Sequence, residues 1–198
     1  MAHCVIASRH PARPLNSVIR PHGMTTPRFA TVLFDWGGTL MSEEGPEDIS
    51  MGLWPEVRAI DGARDTLAAL APIYRLGIAT NATVSKRDMI ERALARVSLL
   101  PYITDIFCFA EIGARKDSME FWSKIFSTLD LAPENVAMVG DTLDQDVIPP
   151  RKFGVFSVWF NEGGRSQLEA HGAPTIHRLP ELIPLVSQWG LVTRGTGR

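Results

Sequence analysis

Five residues of chemically capable type lie just beyond short apolar runs. Asp35 follows ATVLF, Thr80 follows RLGIA, Lys116 lies soon after IFCFA, and Asp141 follows VAMVG with Asp146 five residues further on. Carboxylates are the side chains of nucleophilic attack and of hard-cation binding, and a hydroxyl and an ammonium are those of anion binding. Each residue also has a plain structural use when taken singly. An aspartate caps a helix, a threonine opens a turn, and a lysine stays in water. What sets the group apart is that its members share one kind of position, the end of a strand, in chain order.

The elements that must position them read as alternating strands and helices. Residues 30–34 form a β-branched apolar run that stops at Asp35 and two glycines, the pattern of a buried parallel strand. Residues 75–79, 106–110, 136–139 and 156–160 predict four more strands. Between them, Asp61 is placed to cap a helix through Leu70. Ser85 and Asp88 have capping-box spacing ahead of Met89, Ile90, Ala93, Leu94 and Val97. Asp117 and Glu120 precede a stripe of Phe121, Trp122, Ile125, Phe126 and Leu129, and residues 179–186 predict a closing helix. This alternation implies an α/β fold, a doubly wound parallel sheet covered on both faces, with ligands held beyond the carboxyl ends of its strands.

The segments TVLFDWGGTL, GIATN, EIGARK and VAMVGDTLDQD resemble, in order, the four motifs of the haloacid dehalogenase superfamily. The resemblance covers residues 29–186 and extends to LLPYITDIF and LAPENV. It implies a three-layer α/β/α sandwich around a central parallel sheet, and phosphate-ester hydrolysis through an aspartyl-phosphate. On this resemblance Asp35 is the nucleophile, Thr80 and the Asn81 backbone N–H hold phosphate oxygens beside Gly38 and Thr39, and Lys116 offsets phosphate charge. Mg2+ is held by Asp35, the Gly37 carbonyl and Asp141, with Asp146 either joining the metal shell or orienting Lys116. The acidic run GDTLDQD alone would suit a helix N-terminus. Beside Asp35 and Lys116 it reads better as a metal site, and its spacing is not that of an EF-hand loop. Asp144 is expected in solvent.

The sequence departs from the family pattern where Gly37 replaces the usual acid/base aspartate. Such proton transfer is commonly worth about 10²- to 10⁴-fold, roughly 3–5 kcal/mol of barrier. Substrates with good leaving groups, a carboxylate from Glu43 or Glu44, or slow phosphoenzyme hydrolysis are three ways to live without it; solvated loop charge is the plain reading of the two glutamates. Gly37 also admits a catalytically weak or inactive phosphate- and metal-binding protein. DWGGT is similar to the phosphonatase branch as well, and a phosphonatase-like hydrolase stays as a minor alternative, although no lysine for a Schiff base lies between Asp35 and Thr80 and Lys86 reads as a surface residue. Haloacid dehalogenases proper are metal-free, with a tyrosine near the nucleophile and a large cap, which Gly37 and the short insert do not match.

Residues 41–61 are too short for a helical cap domain, so the site is expected to be uncapped and open to bulky phosphate esters. Trp36, Met51, Leu53 and Trp54 near its mouth read as core packing; the other readings are contact with substrate or with a second subunit, as in a homodimer. Asp117 stands where the family often has proline. Pro149 and Pro150 should distort the helix after the fourth motif and shift Asp146. His171 and His177 match no family role.

Composition bounds the rest. The 198 residues are 45% hydrophobic and 21% charged, an ordinary globular balance, and no apolar run is long enough for a membrane helix. Cys4 and Cys108 form no framework, and Cys108 reads as a buried hydrophobe. Residues 1–28 carry four arginines and no acid; beyond them 16 basic residues face 22 acidic ones, a net −6 that argues against nucleic acid. That segment reads as a poorly ordered leader, as a targeting peptide, or as sequence ahead of a start at Met24. Residues 29–186 read as the catalytic core and 187–198 as a polar tail, with a cytoplasmic location expected.

Overall fold

Thr31–Phe34 (β1) is buried at every position, as a strand flanked on both edges and covered on both faces must be. In the computed structural model, which describes residues 29–46, 48–164, 166, 170 and 172–189, it pairs in parallel with Arg75–Thr80 (β2) on one side and Val136–Gly140 (β4) on the other. The expectations for residues 1–28, for the tail from residue 190 and for His171 fall outside the described residues.

Asp105–Cys108 (β3), Phe156–Phe160 (β5) and Thr175–Ile176 (β6) complete an all-parallel sheet in the order β3-β2-β1-β4-β5-β6. The chain thus adds strands outward from β1 in one direction and then returns to add them in the other. The crevice at such a reversal is where doubly wound sheets bind ligands. Phe34 lies opposite both Ile78 and Val139, so the carboxyl ends of β1, β2 and β4 are level and bring Asp35, Thr80 and Asp141 to one edge.

Alternate strand residues feed two cores, as a two-residue period requires. Val32, Phe34, Leu76, Ile78, Ala137 and Val139 pack with Ala63–Leu70 (α1), Arg87–Arg96 (α2) and Leu182–Trp189 (α6). Leu33, Ala79, Phe107, Val136 and Met138 pack with Phe121, Trp122, Ile125 and Leu129 of Met119–Leu129 (α4). This is the three-layer sandwich expected from the sequence. Phe109–Ile112 (α3) is a single turn after β3, and Ile148–Lys152 (α5) is a short helix after β4. Among the described residues no helix is long and apolar enough to cross a membrane.

Several local expectations are corrected. The third strand ends at Cys108, where its partner β2 ends at Thr80, so Phe109 and Ala110 turn into a helix instead of extending it. Asp61 does not cap α1; Gly62, with φ of 78°, takes that place. Ser85 caps nothing, since Lys86 is the N-cap of α2 and the buried Ser85 hydroxyl bonds Ser50 Oγ at 2.8 Å. Ser118, not Asp117, caps α4 and accepts the Phe121 N–H. The prolines enter the first turn of α5, where missing N–H groups cost least, and a π-helical turn at Leu143–Val147 directly precedes that helix.

Residues 41–61 fold as a short excursion with no separate cap domain among the described residues. Met41 bridges to Ala59 at its base, and a 3-10 turn spans Met51–Leu53. Arg96 of α2 holds its far end through the Trp54 and Pro55 carbonyls, both at 2.7 Å.

Candidate active site

The loop between α3 and α4 carries Lys116, and two contacts fix its backbone. Its N–H donates to Asn81 Oδ1 at 2.9 Å, and its carbonyl accepts from Trp122 Nε1 at 2.7 Å. So held, the side chain is only 2% exposed, and its Nζ meets Asp35 Oδ1 at 2.6 Å and Asp146 Oδ1 at 2.5 Å. Burial alone would lower the ammonium's pKa, but Asp35 and Asp146 together outweigh that and hold it above the ordinary lysine value.

Asp35, Asp141 and Asp146 each bring a carboxylate oxygen within 4.8 Å of the others. Thr39 Oγ1 donates to Asp141 Oδ1 at 3.2 Å, Trp159 Nε1 to the Asp141 carbonyl at 2.9 Å, and the Thr142 N–H to Asp146 Oδ2 at 3.0 Å. Burial, then the Asp35 charge, raises the Asp141 carboxyl. Burial also pushes Asp146 up, to about 7, against the opposing pull of Lys116. Three carboxylates around one ammonium leave an excess of negative charge on hard oxygen donors. That donor set fits a divalent cation such as Mg2+. The π-helical turn therefore does not displace Asp146 from the cluster; it buries it there.

A cavity of about 450 Å³ opens over this cluster, walled by Asp35, Gly37, Thr80, Asn81, Lys116 and Thr142 among others. Thr80 is buried at the end of β2, and its Oγ1 accepts the Ala82 N–H at 3.2 Å. Gly38 has φ of 72°, and a Cβ there would meet Asp141 Oδ2 at 2.9 Å, so the loop passes under the carboxylates only as glycine. Thr39, expected beside substrate, is fully buried with its hydroxyl turned to Asp141.

Trp36, Met51 and Trp54 are buried in the core while bordering the cavity; Leu53 is exposed, as are Lys86 and Asp144. Sequence reasoning missed Gln145, which accepts from Asn81 Nδ2 at 2.7 Å, and the indoles of Trp122 and Trp159. Gln145 lay within a quoted motif, but a neutral amide carries no signal until its partner is known. The two indoles were legible only as apolar residues.

A model of the haloacid dehalogenase-like hydrolases matches residues 47–160, a stretch that includes Thr80, Lys116, Asp141 and Asp146 and begins after Asp35. The chain is 27% identical over 114 residues to the glyceraldehyde 3-phosphate phosphatase of Methanocaldococcus jannaschii, covering 57% of this chain and 49% of that one. It is 27% identical over 106 residues to the pyrimidine 5'-nucleotidase PynA of Streptococcus pneumoniae, covering 52% and 44%. The chain thus spans about half the length of these curated relatives. Its fold is also that of the HAD-hydrolase YfnB of Bacillus subtilis, a structure described as bound to magnesium. That likeness has a TM-score of 0.67 at 18% identity, over 80% of this chain and 99% of that one. With its parallel sheet, its clustered carboxylates and a match over more than half its length, the chain belongs to the haloacid dehalogenase-like hydrolase family.

Proposed function

We propose that the chain is a Mg2+-dependent phosphohydrolase acting on phosphate monoesters through an aspartyl-phosphate on Asp35. The observation that carries this reading is the Lys116 bridge, one buried ammonium touching Asp35 at 2.6 Å and Asp146 at 2.5 Å beside a cavity that Thr80 and Asn81 also wall. An Asp35 carboxylate oxygen attacks phosphorus, the ester oxygen leaves, and water then cleaves the acyl phosphate to regenerate Asp35. Lys116 offsets the charge gathered on the phosphoryl oxygens and keeps Asp35 and Asp146 from repelling one another. The Thr80 hydroxyl and the Asn81 N–H hold phosphate oxygens, and Gly38 and Thr39 shape the loop beneath Asp35.

Asp35, the Gly37 carbonyl, Asp141 and Asp146 are the residues that would hold Mg2+. When bound there, it supplies charge neutralisation at the phosphate. The relatives' named substrates, a triose phosphate and pyrimidine 5'-nucleotides, are small monoesters and support that class. The open mouth admits bulkier esters as well.

Turnover of p-nitrophenyl phosphate and acetyl phosphate with Mg2+, against Asp35→Asn, tests the reading: the variant should lose nearly all activity. Equal rates would remove Asp35 as nucleophile. Gly37 favours a second reading, a phosphate- and metal-binding protein with negligible turnover. It predicts that Mg2+ and inorganic phosphate stabilise the protein while neither ester is cleaved.

A further inference from the structure

The emptied position at Gly37 is not empty space. A Cβ built on Gly37 would overlap Glu43 Oε1 and lie 2.7 Å from its Cδ and 2.8 Å from its Cγ. The backbone explains how a residue six positions on comes to lie there. The Leu40 and Met41 N–H groups both donate to the Trp36 carbonyl, at 3.1 and 2.9 Å, and the Gly38 N–H donates to the Met41 carbonyl at 2.8 Å. Ser42 N–H is then tied to the Arg58 carbonyl at 2.9 Å, so the chain folds back over residue 37. The two neighbouring glutamates part company at this point. Glu44 turns outward to Arg58 in a surface pair at 2.5 Å, whereas Glu43 joins the cavity wall that Asp35 and Gly37 also form.

We infer that Glu43 is the general acid and base of the reaction, its carboxyl replacing one that residue 37 does not carry; this rests on the phosphohydrolase reading above. In the first step Asp35 forms a bond to phosphorus, the bond from phosphorus to the ester oxygen breaks, and Glu43 gives its proton to that oxygen, releasing an alcohol. In the second, Glu43 takes a proton from water as the water oxygen bonds phosphorus and the bond to Asp35 breaks. Phosphate leaves, and both carboxyl groups return to their starting forms. Glycine at 37 leaves the glutamate its place, since a side chain there would push it aside.

The experiment compares phenyl phosphate with p-nitrophenyl phosphate, whose leaving group departs with little need of a proton. Glu43→Gln should lower kcat/KM, which reports the steps through phosphoenzyme formation, by about 10²- to 10⁴-fold on the phenyl ester and by at least tenfold less on the nitrophenyl ester. Glu44→Gln should match the wild type on both. The double variant Gly37→Asp/Glu43→Ala, which returns a carboxylate from residue 37 into vacated space, should regain at least tenfold over Glu43→Ala on the phenyl ester. Equal losses of kcat/KM on the two esters, a rise in KM with kcat intact, or a Glu43→Gln protein within about threefold of wild type would each overturn the inference. Asp35→Asn run in parallel separates the two levels. If it is as active as the wild type, the phosphohydrolase reading itself falls; if it is inactive while Glu43→Gln is unaffected, only the role of Glu43 falls.

Discussion

Replacing Lys116 by methionine tests the charge balance of the site directly. The substitution keeps most of the volume of a side chain that is 2% exposed, and removes the ammonium that meets Asp35 at 2.6 Å and Asp146 at 2.5 Å. At an effective dielectric constant of about 20, each contact corresponds to roughly 6–7 kcal/mol of Coulomb attraction. Desolvation of the buried charges offsets much of this, and removing one partner of such a group typically destabilises by about 3–5 kcal/mol. For a domain of this size, that is a fall in Tm of roughly 6–20 °C. Urea unfolding followed by tryptophan fluorescence at pH 7.5, without divalent cations, measures it.

The deficit should depend on proton binding in a defined direction. Burial pushes the Asp146 carboxyl from its ordinary 3.8 up to about 7, so in that window the native state favours the protonated form that the unfolded chain gives up. Its contribution favours folding at low pH and is lost as pH rises through 7. Without Lys116 that preference strengthens, and the deficit should shrink as pH falls from 8 to 5. Adding Asp35→Asn to Lys116→Met should recover about 1–2 kcal/mol by removing one of the stranded charges. A deficit below about 1 kcal/mol, or one indifferent to both pH and Asp35, would refute the argument that Lys116 holds the carboxylates together.

Other outcomes follow from the same geometry. Gly140→Ala would place a methyl group against the Asp146 side chain and should cut turnover by about 10²-fold while far-UV circular dichroism is unchanged. Trp122→Phe leaves the buried Lys116 carbonyl without its N–H donor and should cost about 1–3 kcal/mol in urea unfolding, with a several-fold loss of activity. Protons compete with a cation for Asp141 and Asp146, both raised by burial, so 10 mM MgCl2 should raise Tm more at pH 8 than at pH 5.5. A shift that is the same at both values would speak against a site built on these carboxylates.

What could be read from the sequence, and what could not, divides along physical lines. The central strands were visible because burial on both faces forces unbroken apolar runs, such as TVLF and VAMVG. β6 was not, since two residues carry no pattern. Asp35, Lys116, Asp141 and Asp146 announced themselves by type and by place, and the sheet brings them together. Helix starts were misplaced by one residue or more, because Asp61, Ser85 and Asp117 all have the chemistry of a cap and only tertiary contacts decide among neighbours. The Asp141 partner of Thr39 was out of sight for a similar reason. The motif names the hydroxyl but not the direction in which a buried rotamer points it. Glu43 read as an ordinary loop charge until the fold-back over Gly37 showed what lies beneath it.

The strand order also sets when the site can exist. Asp35 and Lys116 are 81 positions apart, and Thr39 and Asp141 are 102 apart. At translation rates of about 5–20 residues per second, Asp141 is synthesised roughly 5–20 s after Asp35. During that interval β1, β2 and β3 can pair, but the flank of β1 that β4 will occupy has no partner. A cation that needs both Asp35 and Asp141 therefore cannot guide early folding. It would engage, as the chain is made, only once the second half of the sheet has docked, and so would act as a latch that slows the unfolding of the finished protein.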